Sequence, residues 1–168
     1  MKQSKLQFSL TLCLIGFSIC SFAQITLPEV KIVASTYKYL NAVDNTEMAQ
    51  PVRMLELKAA TYDIKQSEFY EEDYDSYSVS FYIPNGYILA SYDKEGKLIS
   101  TAEKFKNTKV PAAVREAVNN KYPQWIIAED IYLVNYHEKR GVNKLFKLVL
   151  ENGSKRLKVK LNEKGEFL

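Results

Sequence analysis

Two hydrophobic periods alternate along this chain. From Ser76 to Ile83 every second residue is apolar or aromatic. Tyr77, Val79, Phe81 and Ile83 face one way, and Ser78, Ser80 and Tyr82 the other, which predicts a half-buried strand. Asn85-Gly86 then reads as a two-residue hairpin turn, because both central positions of a type I′ turn need positive φ. That turn would pair Ile83 with Ile88, Phe81 with Ala90 and Val79 with Tyr92, all on one face. Asp93-Lys94-Glu95-Gly96 is a further turn, and Lys97 to Phe105 a third strand.

At Val110 the period changes. Val110, Val114, Val118 and Tyr122 recur at helical spacing, with Ala113 and Ala117 beside them and Arg115, Glu116, Asn119 and Asn120 opposite. Pro111 suits the first turn, and Tyr122-Pro123 ends the helix, since a residue before proline avoids the α region. Trp125 is expected to pack under the helix end. Pro51 to Tyr62 reads as an earlier proline-led helix burying Val52, Leu55, Ala59 and Tyr62, with Met54 beside them. Ile126 to His137 is one long strand or two short ones, its inner face ambiguous because Ile131 through Val134 are all apolar. Val142 to Leu150, an Asn152-Gly153 hairpin turn and Lys155 to Leu161 follow, then Asn162-Glu163-Lys164-Gly165 and a short apolar end. Before the first helix the pattern is weak: a short strand from Val30 to Ser35, then a polar, irregular stretch from Tyr37 to Gln50.

The order of these elements is itself patterned. Each half carries a proline-led helix, strands, an Asn-Gly hairpin and an acidic-x-x-Gly type turn, and Y-D-K-E-G-K-L-I is echoed by L-N-E-K-G-E-F-L. The expectation is an α+β fold of two tandem repeats, each a helix packed on a small antiparallel sheet. Residues 51–108 would form the first repeat and 109–168 the second, with 24–50 an N-terminal strand and linker.

The second half, from V-P-A-A-V-R-E-A-V-N-N-K-Y-P-Q-W to N-G-S-K-R-L-K-V-K-L-N-E-K-G-E-F-L, resembles the PepSY-like, beta-lactamase-inhibitor-protein-like secreted domains. In those domains a proline-led helix ending near Tyr-Pro-x-Trp precedes strands that close on an acidic-x-x-Gly turn. The resemblance covers Val110 to Leu168 well and Pro51 to Phe105 weakly. It implies binding without catalysis, by analogy with peptidase pro-regions and proposed inhibition, and it carries no site residue across, since the shared positions are core ones.

Composition changes the picture at the N-terminus. Lys2 and Lys5, an apolar run from Leu6 to Ile19 and Ser21-Phe22-Ala23 before Gln24 make a secretory leader, residues 1–23, cleaved between Ala23 and Gln24. The Phe22-Ala23-Gln24 junction resembles that of exported proteins of the Bacteroidota. The expected location is periplasmic or extracellular, with no membrane span after cleavage. The formal charge of +3 falls to +1 without Lys2 and Lys5, which speaks against a nucleic-acid partner. Both cysteines, Cys13 and Cys20, fall in the leader, so the mature chain would have no disulfide, thiol nucleophile or thiolate metal site. The single histidine, His137, sits beside Glu138, Lys139 and Arg140 in what reads as a solvated hairpin, without the shell a catalytic histidine needs.

There is no phosphate-binding loop motif. The acidic run Glu68 to Asp75 lacks the glycine of a calcium loop and reads as a solvated loop or an edge strand. No cofactor or metal is expected. An enzyme would have to use scattered carboxylates such as Glu68, Asp73 and Asp130.

The remaining candidates are surfaces. If Phe146, Leu148, Leu150, Leu157, Val159 and Leu161 face the helix, then Lys147, Arg156, Lys158 and Lys160 share the opposite face, and the Asn152-Gly153 turn sets Lys147 against Lys158. Directly opposed like charges cost stability, so such a patch either guards the sheet or meets something acidic. On the first hairpin Tyr82, Tyr87 and Leu89 would form an aromatic patch on the open face. The expected function is an exported, non-catalytic binding module for an envelope or secreted protein. The alternatives are a small-molecule-binding or a structural envelope protein.

Overall fold

A computed structural model describes residues 34–44 and 46–168, which lie in the compact unit Lys31–Leu168. The expected leader, its expected cleavage site at Ala23 and Gln24, both cysteines and most of the strand expected from Val30 fall outside the described residues. The elements are α1 (Ala34–Val43), α2 (Gln50–Ala60), a 3-10 turn (Ile64–Gln66), β1 (Ser76–Ile83), β2 (Gly86–Asp93), β3 (Leu98–Lys106), α3 (Ala112–Lys121), β4 (Ile126–His137), β5 (Gly141–Asn152) and β6 (Lys155–Asn162). All strands join one antiparallel six-stranded sheet in the order β1-β2-β3-β4-β5-β6. The architecture is α+β, but the two small sheets expected from the repeats are one, sewn together along β3 and β4. The matching turns do not align the halves strand for strand either. The Asp93 turn leads into β3, whereas the Asn162 turn leads only to Phe167, bridged to Leu161, and β4 is left without a counterpart.

The alternation within each strand decides the layering. Tyr77 and Phe81, Ile88, Ala90 and Tyr92, Phe105, Tyr132, Val134 and Tyr136, Phe146, Leu148, Leu150 and Leu161 are all buried in one core with the helices. Phe105, Tyr132 and Phe146 stack across three neighbouring strands at 6.3 and 4.6 Å between ring centroids. Pairing settles the ambiguous face of β4: Tyr132, Val134 and Tyr136 point in, and Ile131 and Leu133 point out, half-buried.

The N-terminal stretch departs from expectation. Ala34 to Val43 is a helix, so Ala34 and Ser35 do not end a strand and the expected linker is largely α1. Its buried stripe is Thr36, Tyr39 and Val43, and two of these carry polar groups that are matched inside the core. Thr36 Oγ1 donates to the Ala60 carbonyl at 3.0 Å, and Tyr39 Oη donates to Glu103 Oε1 at 2.8 Å. α1 packs on α2 and on β3, β4 and β5, while α2 covers β1 and β2. In α2, Val52, Leu55 and Ala59 are buried as expected, Met54 is 61% exposed, and Glu56 is buried against expectation.

α3 buries Val114 and Val118 after the buried Val110, and Tyr122 caps its end. Ala113, expected beside the buried stripe, is exposed. Trp125 is half-buried, edge-on to Tyr122 at 6.3 Å. This helix lies on the turn after β6: a Cβ on Gly165, at φ +82°, would stand 2.6 Å from the Ala113 carbonyl oxygen. Phe167 is clamped there by the Tyr122 ring at 5.8 Å and Lys121 Nζ at 4.0 Å.

Both hairpins are shifted by two residues from the expected register. In the first, Ile83 pairs with Gly86, Phe81 with Ile88, Val79 with Ala90 and Tyr77 with Tyr92. The loop is therefore Pro84-Asn85, with Gly86 the first residue of β2, and neither loop residue has positive φ. Proline pre-sets the first central position of an ordinary turn, so it competes successfully with Asn-Gly for the loop. In the second, Asn152 pairs with Lys155 and the loop is Gly153-Ser154, with Gly153 at φ +57°. Positive φ at the first central residue alone marks a type II′ turn. A two-residue shift preserves side-chain parity, so every face assignment survives it.

Candidate functional site: the open sheet face

With all the buried strand residues on one side, the other side of the sheet is bare among the described residues. None of its side chains is buried. Successive registers lay these side chains in rows across the strands. One row runs Tyr82, Tyr87, Lys104, Leu133, Leu145 and Asn162. The next toward the β6 tip runs Lys106, Ile131, Lys147 and Lys160. Beyond it Glu129, Val149 and Lys158 align, then Ile126, Glu151 and Arg156. On the other side of the tyrosine row lie Ser80, Leu89, Ala102, Asn135 and Asn143, and all but Ser80 line a shallow depression of about 590 Å³ together with Ser100 and Gly141.

The structure brings most of the expected surface residues together and changes two of them. Tyr82 and Tyr87 face each other across β1 and β2, 72% and 41% exposed, with ring centroids 6.2 Å apart. Lys147 stands opposite Lys160, not Lys158, which faces Val149. Arg156 leaves the free patch: its guanidinium reaches Glu129 Oε1 at 2.6 Å and Glu151 Oε1 at 2.9 Å. Lys104 and Lys106 enter the patch instead. They come from β3, distant in sequence from the second hairpin, and only the sheet order brings them alongside. Among the described residues, none of Lys104, Lys106, Lys147, Lys158 and Lys160 is in ion-pair contact with a carboxylate. The carboxylates in those rows, Glu129 and Glu151, are both committed to Arg156.

The carboxylates weighed for catalysis do not converge. Glu68 and Asp73 are exposed in the loop before β1, whose Tyr70 and Tyr74 rings pack on Tyr77. Asp130 lies on the covered face, where its Oδ2 accepts from Thr108 N at 3.0 Å and Thr108 Oγ1 at 2.9 Å. Among the described residues no group of histidine, cysteine and acidic side chains is arranged to hold a metal ion. His137 Nδ1 accepts from Lys139 N at 3.1 Å in the β4–β5 turn.

A polar cluster invisible to hydrophobic periodicity sits between the helices and the sheet. Glu56 on α2 and Glu103 on β3 are both buried, with Lys144 of β5 near them. Glu103 Oε1 accepts from Tyr39 and from Thr101 Oγ1 at 2.6 Å, while its Oε2 and the Tyr132 hydroxyl have no partner among the described residues. Lys144 Nζ reaches Glu163 Oε2 at 3.0 Å and the Asp44 carbonyl at 3.4 Å, so it is shared outward. Burial raises the Glu56 carboxyl to about 9, helped by the neighbouring Glu103 charge, and raises Glu103 to about 7 against its hydrogen bonds from Thr101 and Tyr39.

The class these features define is a single-layer antiparallel sheet with helices on one face and, among the described residues, an exposed, partly basic other face. No family model matches the chain, and no curated protein matches it. A solved structure of a BLIP-like protein from Bacteroides fragilis is similar to it, at 18% identity over 58% of this chain and 68% of that one, with a TM-score of 0.32. That neighbour carries the BLIP-like description and not the PepSY-like one. Among the described residues no helix is long and apolar enough to cross a membrane.

Proposed function

We propose that this chain is an exported, non-catalytic binding module that engages an acidic envelope or secreted protein through the open face of its sheet. The leader read in residues 1–23 would deliver it to the periplasm or beyond. The observation that carries the reading is the row Lys106, Ile131, Lys147, Lys160, flanked by Lys104 and Lys158, with no free carboxylate in the rows they occupy. Such a field attracts a negative surface and speeds encounter with it. The half-buried Ile131, Leu133, Leu145 and Val149 between the lysines suit a folded protein surface, because a hydrated polyanion would leave them uncovered. Tyr82 and Tyr87 supply the rigid, half-apolar anchors found at interface centres. The finer form of this reading is a role as inhibitor or adaptor of the partner. The depression lined by Ser100, Asn135 and Asn143 favours a second reading, a small polar ligand held on the sheet.

The test is capture from host envelope and culture fractions by Gln24–Leu168, beside a variant with Lys106, Lys147, Lys158 and Lys160 changed to Ala. A protein kept by the native bait and lost by the variant supports the reading. Equal capture by both removes the lysine face from it, and a ligand-induced rise in melting temperature without any protein partner favours the second reading.

A further inference from the structure

The two edges of the sheet are treated differently. β6 carries Lys155, Arg156, Lys158 and Lys160, and its outer side is partly closed by the chain end, with Phe167 bridged to Leu161 and Leu168 N bonded to the Lys160 carbonyl at 3.0 Å. Charge and coverage are two of the devices by which proteins keep edge strands from pairing. β1 has neither. Its eight residues, S-Y-S-V-S-F-Y-I, contain no charge and no proline, and they pair with β2 one for one without a bulge. Among the described residues, no backbone group from Ser76 to Ile83 hydrogen-bonds to anything outside the β1–β2 ladder.

We infer that β1 is a pairing edge, and that its occupant is β1 of a second copy, joining two molecules into one continuous antiparallel sheet. The register follows from the ladder. Ile83 and Gly86 close a two-residue loop, and bonded pairs alternate along an antiparallel ladder. Phe81, Val79 and Tyr77 therefore turn their backbone groups toward β2, and Ser76, Ser78, Ser80 and Tyr82 turn theirs outward. A two-fold axis at Ser80 sets Ser80 opposite its own copy and Ser78 opposite Tyr82 of the other, using the outward groups of Ser78, Ser80 and Tyr82 in matched pairs, with Ser76 opposite Pro84 at the margin of the paired stretch. The side chains agree with it. Tyr82, the most exposed large side chain of the strand, meets the small Ser78, so its ring has room. On the covered side Val79 and Ile83, which their own chain leaves half-buried, meet Phe81 and Tyr77 of the second copy. No like charges are brought together, whereas face-to-face association would oppose the lysine rows of two copies. An isologous contact of this kind closes on itself and stops at two. It leaves both open faces free and side by side.

Sedimentation velocity on the mature chain tests this, loaded from about 1 µM to about 1 mM so as to bracket the weak range of small interfaces. The expected result is a concentration-dependent dimer. Ser80→Lys and Ser80→Glu, both at an exposed position, should each be monomeric when alone, and an equimolar mixture of the two should dimerise again. Ala102→Lys, exposed on the same face but interior to the sheet, should dimerise like the native chain. A native chain that stays monomeric throughout, a dimer that survives in Ser80→Lys alone, or a mixture that fails to recover would each overturn the inference.

Discussion

Glu56 and Glu103 set the terms on which α2 and the sheet stay together. A carboxyl whose pKa is higher in the folded chain holds extra protons there, so its contribution to stability is full in acid and is lost as pH rises. The window opens at the ordinary carboxyl value of 4.5 and closes near 7 for Glu103 and near 9 for Glu56. Asp130, also raised by burial, acts in the same sense, and Lys144 tempers the effect on both glutamates. The melting temperature should therefore fall steadily between pH 5 and pH 9. Glu56→Gln should raise stability at pH 8 by on the order of 2 kcal/mol and change it little at pH 5, flattening the profile. Thermal melts of both chains across that range check it, and an unchanged slope in the variant would contradict the assignment. The Tyr132 hydroxyl, buried with no partner among the described residues, gives a second expectation at this scale. Tyr132→Phe removes a desolvated group that makes no bond, so denaturant unfolding should show a chain as stable or up to about 1 kcal/mol more stable.

At the scale of elements, the first hairpin shows what its glycine is for. Gly86 does not supply positive φ to a turn; it opens β2, where a Cβ would lie 2.3 Å from the Phe105 ring and 2.8 Å from the Lys104 carbonyl oxygen. Gly86→Ala should cost about 1–3 kcal/mol in chemical unfolding, the usual cost of overpacking a well-filled site. A cost near zero would mean the ring moves aside freely.

The same hairpin marks how far the sequence could be read. Alternation in β1, β2, β5 and β6 assigned the faces, and the faces survived a register two residues away from the expected one, because parity is indifferent to a shift of two. The helical stripe of Val110, Val114 and Val118 was legible because each member is aliphatic. α1 was not legible, because Thr36 and Tyr39 reach the core with hydrogen-bonding groups that periodicity counts as surface. Glu56 and Glu103 were hidden for the same reason. Lys104 and Lys106 joined the candidate face only through the pairing of β3 with β4, a contact no local pattern announces.

At the scale of the molecule, the helices cover one side of the sheet, and the contrast between its two faces is the basis of the functional reading. The covered face is rich in aromatic and aliphatic side chains together with a proton-holding cluster. The open face sets two tyrosines and a field of uncommitted lysines on a rigid sheet, where main-chain pairing fixes their spacing. Rigid presentation favours binding because little freedom remains to be lost when a partner arrives.

Lysine footprinting in the presence of host envelope and culture fractions tests this claim most directly. The mature chain is acylated with and without the fractions, and modification is read at each lysine by mass spectrometry. Shielding is expected at Lys106, Lys147 and Lys160, with Lys58 on α2 and Lys121 on α3 labelled as before, and with relief of the shielding at high salt. Shielding centred on Lys58 and Lys121, with the row on the open face still freely labelled, would place the binding surface on the helical side and contradict it.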